Sequence, residues 1–312
     1  MNRGVAVGSI TLAVVAFLPF AGGRVRAGGE APRALVDLLH DAGEYVVGYE
    51  QGFSLVVAAE DYVQRLRASP SGPVRQTRQL KSDVVFVRAP GTALSWWLLR
   101  DVFEVDGRAV RDRQGRLEKL LFANPGDGLE RARAIADEGA RFNLGHGFRN
   151  VNVPTLALAL LHPDLQSRFS FERRGSATIE GRPFVEVGFR EISTPTVVKG
   201  PDSHPDLPAA GRVWIDAAGR TIGRTELTLE LHADGSLTRV FVATEYRPFQ
   251  KLALWMPVEM RDRFHTELVG SRGRSGSVEL VEGQASYGGF RRAGVTTEED
   301  YRVPEVPTAP PP

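Results

Sequence analysis

Apolar side chains alternate with polar ones through the second half of the chain. They recur at every second position in Val185, Val187 and Phe189, in Val213 and Ile215, and in Leu227, Leu229 and Leu231, with Leu165, Phe169 and Phe171 ahead of them. A period of two places such residues on one face of a strand. Turn signals at Glu180-Gly181, Ala218-Gly219 and Asp234-Gly235 separate the runs. Turns this short join antiparallel neighbours, because parallel strands need a long crossover. The runs Leu237 to Tyr246, Val258 to Phe264 and Val278 to Tyr287 continue the pattern, so this half is expected to be a meander of hairpins.

The first half mixes periods. Leu35, Leu38, Leu39, Ala42 and Val46 are spaced by three and four, which predicts an amphipathic helix over Ala34 to Val47, with Pro32 suited to its start. From Gly52 the texture turns to short β-branched and aromatic runs, Phe53 to Ala59, Val84 to Arg88, and Trp96 to Val105, the last closed by an Asp106-Gly107 turn. Helical spacing returns at Arg113 to Phe122 through Leu117, Leu120 and Leu121. A further helix is signalled by Asp127 as cap with Glu130 three residues on, followed by a stripe of Leu129, Ala132, Ile135, Ala136 and Phe142. Pro154 to Leu161, almost without polar residues and stopped before Pro163, reads as a short buried helix.

The fold class that follows is α+β, mainly antiparallel β, with one sheet that curls around a few helices. A single β-rich domain over 28–302 is expected, with its helices mostly within 31–162. Ser193 to Ala210 interrupts the strands with Pro195, Pro201, Pro205 and Pro208, and a connection this long suggests a lid, a binding loop or disorder. Val303 to Pro312 reads as an unpacked proline-rich tail.

The amino terminus adds an address. Arg3 precedes an apolar run from Val5 to Phe20, and Val25-Arg26-Ala27 offers a cleavage point after Ala27, so residues 1–27 read as a signal peptide. The competing reading is a retained anchor, since the run approaches the length that spans a bilayer. Cleavage would leave a periplasmic or secreted protein with no stable membrane span. The chain has no cysteine, hence no disulfide and no thiol for lipid attachment at the signal boundary. A formal net charge of +1 gives no field to attract a polyanion, and nucleic acid is not an expected partner.

Candidate chemistry is sparse. Six histidines fall in no metal-protease spacing, and the best hard-cation set, Asp202, His204 and Asp206, competes with a plain solvated loop. Ser275 in Gly273-Arg274-Ser275-Gly276 is one residue short of a nucleophile elbow and lies between strands. Gly145-His146-Gly147 lacks the third glycine of a dinucleotide fingerprint. Glu60 and Asp61, adjacent in a strand, would point to opposite faces. No catalytic residue, cofactor or metal ligand is assigned, and a non-enzyme is favoured.

The segments Gly211-Arg212-Val213-Trp214-Ile215-Asp216-Ala217-Ala218-Gly219-Arg220, Asp234-Gly235, Met256-Pro257-Val258 and Gln284-Ala285-Ser286-Tyr287-Gly288-Gly289-Phe290-Arg291-Arg292 follow one another in order. Over about residues 165 to 295 they resemble exported lipoprotein-carrier and lipoprotein-sorting proteins. Tyr49-Glu50-Gln51 and Arg141-Phe142-Asn143-Leu144-Gly145 resemble uncharacterised exported bacterial proteins. The carrier resemblance implies an open curved sheet or half-barrel wrapped over a few helices, with an apolar cavity for acyl chains. Candidate wall residues are Leu227, Leu229, Leu231, Phe241, Val258 and Met260, with a solid core as the other reading of the same residues. The implied function is an exported soluble binding protein for an apolar ligand, such as lipid or a lipoprotein acyl chain. A periplasmic hydrolase acting on envelope material and a non-catalytic envelope scaffold are the alternatives.

Overall fold

The computed structural model describes residues 34–53, 56–88, 96–111, 116–117, 128–145, 151–200, 206–218, 220–233, 236–268 and 278–292. Helix α1 (Leu35–Phe53) leads into strands β1 (Val56–Arg67), β2 (Val74–Arg88), β3 (Trp96–Val105) and β4 (Arg108–Ala109). Helices α2 (Gly128–Ala140), α3 (Leu156–Ala159) and α4 (Pro163–Gln166) follow. Strands β5 (Phe169–Ile179), β6 (Arg182–Glu191), β7 (Ala210–Asp216), β8 (Ile222–Ala233), β9 (Ser236–Phe249), β10 (Leu254–Leu268) and β11 (Val278–Arg292) complete the fold.

The eleven strands among the described residues form one sheet in the order β4-β3-β2-β1-β11-β10-β9-β8-β7-β6-β5. Two antiparallel meanders, β1 to β4 and β5 to β11, are stitched together by β1 pairing antiparallel with β11, from Val56 opposite Arg292 to Arg67 opposite Leu280. The sheet ends at β4 and β5 without closing. It is therefore an open half-barrel wrapped over helices, mainly antiparallel, as the alternation requires. The turn at Asp106-Gly107 has φ of 50° and 75°, and that at Glu180-Gly181 has 51° and 71°. Paired left-handed residues match the strand twist in such tight hairpins, which is why glycine stands second in both.

Three elements differ from expectation. Helix α1 runs past Val47 to Phe53, because Tyr49 and Phe53 continue its buried stripe; Phe53 thus belongs to the helix, not to a strand. Leu165 sits in α4 rather than on an alternating strand. Strand β2 begins ten residues before Val84, at Val74, where mixed polar residues hid it. The Asp127 cap, most of Arg113 to Phe122, and the Asp234-Gly235 turn lie outside the described residues.

One large apolar core lies between the sheet's inner face and the helices. Leu38, Ala42, Val46, Tyr49 and Phe53 of α1 share it with Leu158, Leu160 and Leu161 of the α3 region and with the inward residues of the strands. A small second core sits on the outer face, where Ile135 of α2 and Leu117 pack on Val57, Val85 and Leu99.

The rest of the described outer face carries ion pairs. Glu186 meets Arg212 at 3.1 Å, Arg212 also pairs with Glu226, and Arg224 bridges Glu226 at 2.6 Å and Glu245 at 3.7 Å. Arg247 extends the line to Glu245 at 2.9 Å and Glu180 at 2.8 Å. Arg212 and Arg224 stack over Trp214 at 5.2 and 4.8 Å, so their stems bury an indole that strand parity sends outward.

The proline-rich connection is packed at both ends. The Glu191 carboxylate accepts the backbone N–H of Val197 at 2.7 Å and of Ala209 at 3.2 Å. Thr196 Oγ1 accepts the N–H of Leu207 at 2.9 Å and donates to the Val198 carbonyl at 2.7 Å. Buried Val197, Val198, Leu207 and Ala209 make these described ends a strap rather than a disordered loop.

Candidate functional site

The inner face of β8, β9 and β10 holds most of the apolar wall read from the sequence. Leu227, Leu229 and Leu231 point inward from β8 and are all buried. Register places Val242 opposite Leu227 and Val240 opposite Leu229. Met260 of β10, fully buried, stands opposite Ala285 of β11. These residues belong to the same core cluster as α1 and the α3 region, which cover them.

Phe241 and Val258 do not share that surface. Phe241 falls between two inward residues, pairs with Thr228, and is half-buried on the outer face. Parity decides this: Thr238, Val240, Val242, Thr244 and Tyr246 are the buried set of β9. Val258 lies at the register shift between Pro257 and Glu259 and is half-buried. An extra residue at a bulge turns the side chain out of the regular alternation. The buried inner-face set is thus Leu227, Leu229, Leu231 and Met260, packed in one core with Val240, Val242, Phe264 and Val281.

A buried polar seam interrupts this apolar face. Glu60, wholly buried, accepts two hydrogen bonds from Arg100, from Nε at 2.5 Å and from Nη2 at 2.9 Å. The guanidinium lies 5.3 Å from the Tyr62 ring centroid. Tyr62 in turn donates to Asp262 at 2.8 Å and accepts from Asn152 Nδ2 at 3.2 Å. Gln64 donates to Asn143 at 3.1 Å and accepts the Leu144 N–H at 2.8 Å. Tyr246 donates to the Pro154 carbonyl at 2.6 Å.

Glu60, Tyr62 and Gln64 alternate along β1, so one strand face supplies the acceptors and donors. Adjacent Asp61 faces the other way and accepts from Gln79 at 2.9 Å, as strand geometry requires. Gly283 makes room: a Cβ there would stand 2.4 Å from one Asp262 carboxylate oxygen and 2.6 Å from Tyr62 Oη.

Electrostatics hold Arg100 charged and two phenols of the inner face neutral. Burial opposes the Arg100 charge, but the Glu60 carboxylate outweighs it and holds the guanidinium protonated beyond its ordinary range. Burial, and next the nearby Glu60 charge, push the Tyr287 phenol far above the usual tyrosine range. Burial does the same for Tyr246. These phenols are neutral hydrogen-bonding groups at any physiological pH. What the arrangement does chemically is fasten: Asn143, Leu144, Asn152 and Pro154 all come from the segment between α2 and α3, and the seam pins that segment to the sheet.

This seam escaped sequence reading because its partners are distant; Tyr62 and Asp262 are separated by 200 positions. The available signal was Glu60, Tyr62 and Gln64 at every second position of β1.

The other sequence candidates come to little. Asp206 pairs with Lys199, while Asp202 and His204 lie outside the described residues, as do Ser275, His146 and Gly147. His162 caps α4 by accepting the Asp164 N–H at 3.3 Å. Among the described residues no cluster of three or more His, Asp or Glu has metal-binding proximity.

Among solved structures the chain is similar to a Vibrio parahaemolyticus domain named for outer membrane lipoprotein sorting, at 10% identity and a TM-score of 0.38, covering 83% of this chain and 94% of that one. A DUF1329 family protein from Desulfovibrio piger is matched at 10% identity and a TM-score of 0.31, over 83% of this chain and 95% of the other. Lipovitellin is matched at 7% identity and a TM-score of 0.27, over 79% of this chain and 26% of that one. No family model matches the chain, and no curated protein is matched in sequence. These likenesses are weak, and the fold assignment rests on the strand order itself.

Proposed function

We propose that this chain is an exported binding protein for an apolar ligand, a lipid or the acyl chain of a lipoprotein, held between the inner sheet face and the helices over it. The observation that carries the reading is the apolar wall of Leu227, Leu229, Leu231, Val240, Val242 and Met260 on a sheet that does not close, covered by separate helical segments. Helices α3 and α4 are four residues each, too short to hold their own shape, so their position depends on apolar contacts with the strands. An acyl chain offers the wall the same kind of contact. Each buried methylene contributes about 0.8 kcal/mol, so a long chain binds without a charged partner.

Export is supported by Arg3, the Val5 to Phe20 run and Val25-Arg26-Ala27. No helix among the described residues is long and apolar enough to cross a membrane. A periplasmic or secreted location fits both.

The test is mass spectrometry of a solvent extract of the natively purified protein, with uptake of a fluorescent fatty acid by the delipidated form. Co-purifying acyl lipid and saturable uptake are expected. An extract free of lipid together with no uptake would remove the reading.

A further inference from the structure

The outer face carries a group that ligand binding on the inner face does not use. Asp83 of β2 and Asp101 of β3 stand directly opposite each other in register. Like charges so placed on one face repel. Helix α2 closes over this place: Ile135 packs with Val57, Val85 and Leu99. Gly139 lies so close to β3 that a Cβ would stand 2.6 Å from the Arg100 carbonyl oxygen. Glu138 of α2 brings a third carboxylate, and Arg116 answers it, 2.6 Å from Glu138 and 3.9 Å from Asp101. The Asp101 side chain is only 5% exposed.

We propose that α2 docks on the sheet as a pH-dependent clasp, tightened when Asp101 takes up a proton and loosened when Asp101 loses it. Burial first, with Asp83 and Glu138 adding to it and Arg116 opposing it, pushes the Asp101 carboxyl from 3.8 up to about 6. Asp83 from β2, Glu138 from α2 and Arg116 ahead of α2 all act on it.

The sign follows from linkage. A carboxyl that holds its proton more tightly with the helix docked favours docking most at pH below its ordinary value near 3.8. Docking weakens as pH rises toward about 6 and stays at its weakest above that. The separation of the two values corresponds to at most about a hundredfold in the docking equilibrium. Arg100, next to Asp101 on β3, points to the other face and holds Glu60 there. Loosening α2 withdraws Gly139 from the Arg100 carbonyl and so relaxes the strand that positions the inner ion pair. The proposal stands independently of the ligand.

Hydrogen exchange of peptides spanning 128–140, at pH 5 and pH 8 and corrected for intrinsic exchange, reads the clasp. Protection is expected to be about tenfold greater at pH 5, which lies about one unit below the docked carboxyl's midpoint. Asp101→Asn is expected to abolish the difference and leave protection high at both values. A second measurement, NMR titration of the Asp101 carboxyl in the unaltered protein, is expected to give a midpoint near 6, falling toward the ordinary range in Gly139→Ala, whose new Cβ lifts the helix. Equal protection at both pH values, an unchanged pH difference in Asp101→Asn, or an ordinary carboxyl midpoint in the unaltered protein would each overturn the proposal. Should Asp101→Asn fail to fold, the titration alone decides.

Discussion

Glu60→Gln puts the buried seam to its hardest trial. The carboxylate is wholly inaccessible, the Arg100 side chain is 8% exposed, and two hydrogen bonds of 2.5 and 2.9 Å join them. Removing the negative charge leaves a guanidinium beneath the helices, facing the Tyr62 ring and a neutral amide. Breaking one side of a buried pair costs about 3–5 kcal/mol, because the survivor's charge is left uncompensated. Replacing both partners with apolar residues of similar volume is often neutral or stabilising, by about 1–4 kcal/mol. Glu60→Gln should therefore lower stability by about 3–5 kcal/mol, while Glu60→Leu with Arg100→Met should recover most of the loss. Urea unfolding followed by intrinsic fluorescence gives both values, and the midpoint should move without a large change in slope. A Glu60→Gln protein within about 1 kcal/mol of the original, or a double variant as weak as the single one, would show that the pair is neither buried nor coupled as described.

The two faces of the sheet give a paired expectation: Leu229→Ala should cost about 2–5 kcal/mol in urea unfolding, whereas Phe241→Ala, on the outer face, should cost about 1 kcal/mol or less; equal losses would contradict the assigned parity of β9. Gly283→Ala should destabilise by about 1–3 kcal/mol, because its Cβ meets the Asp262 carboxylate and Tyr62 Oη; an unchanged thermal midpoint would refute the close approach. Amino-terminal sequencing of the exported form should begin at Gly28, and an intact Met1 in a membrane pellet would refute cleavage.

The elements that the sequence announced are those whose signal is local. Leu227, Leu229 and Leu231 show their shared face within five residues, and the α1 stripe declares itself through spacing of three and four. What could not be read depends on residues far apart in the chain. Pairing of β1 with β11, which makes one sheet of two meanders, leaves no local trace. Phe241 was misplaced because Val240-Phe241-Val242 is apolar at both parities, so alternation alone cannot say which side chain turns inward. The Tyr62–Asp262 contact needs Gly283 from a third strand, and only the assembled register shows why a glycine stands there. The Glu60 and Asp61 pair was legible because its geometry is set by adjacent residues of one strand.

Photo-crosslinking with a diazirine-labelled fatty acid, followed by peptide mapping, tests the central claim most directly. Adducts are expected on β8, β9 and β10 at Leu227, Leu229, Leu231, Val240, Val242 and Met260, and on the faces of α1 and α3 that cover them. Labelling confined to outer-face positions such as Phe241 and Trp214, or no saturable labelling at all, would contradict it.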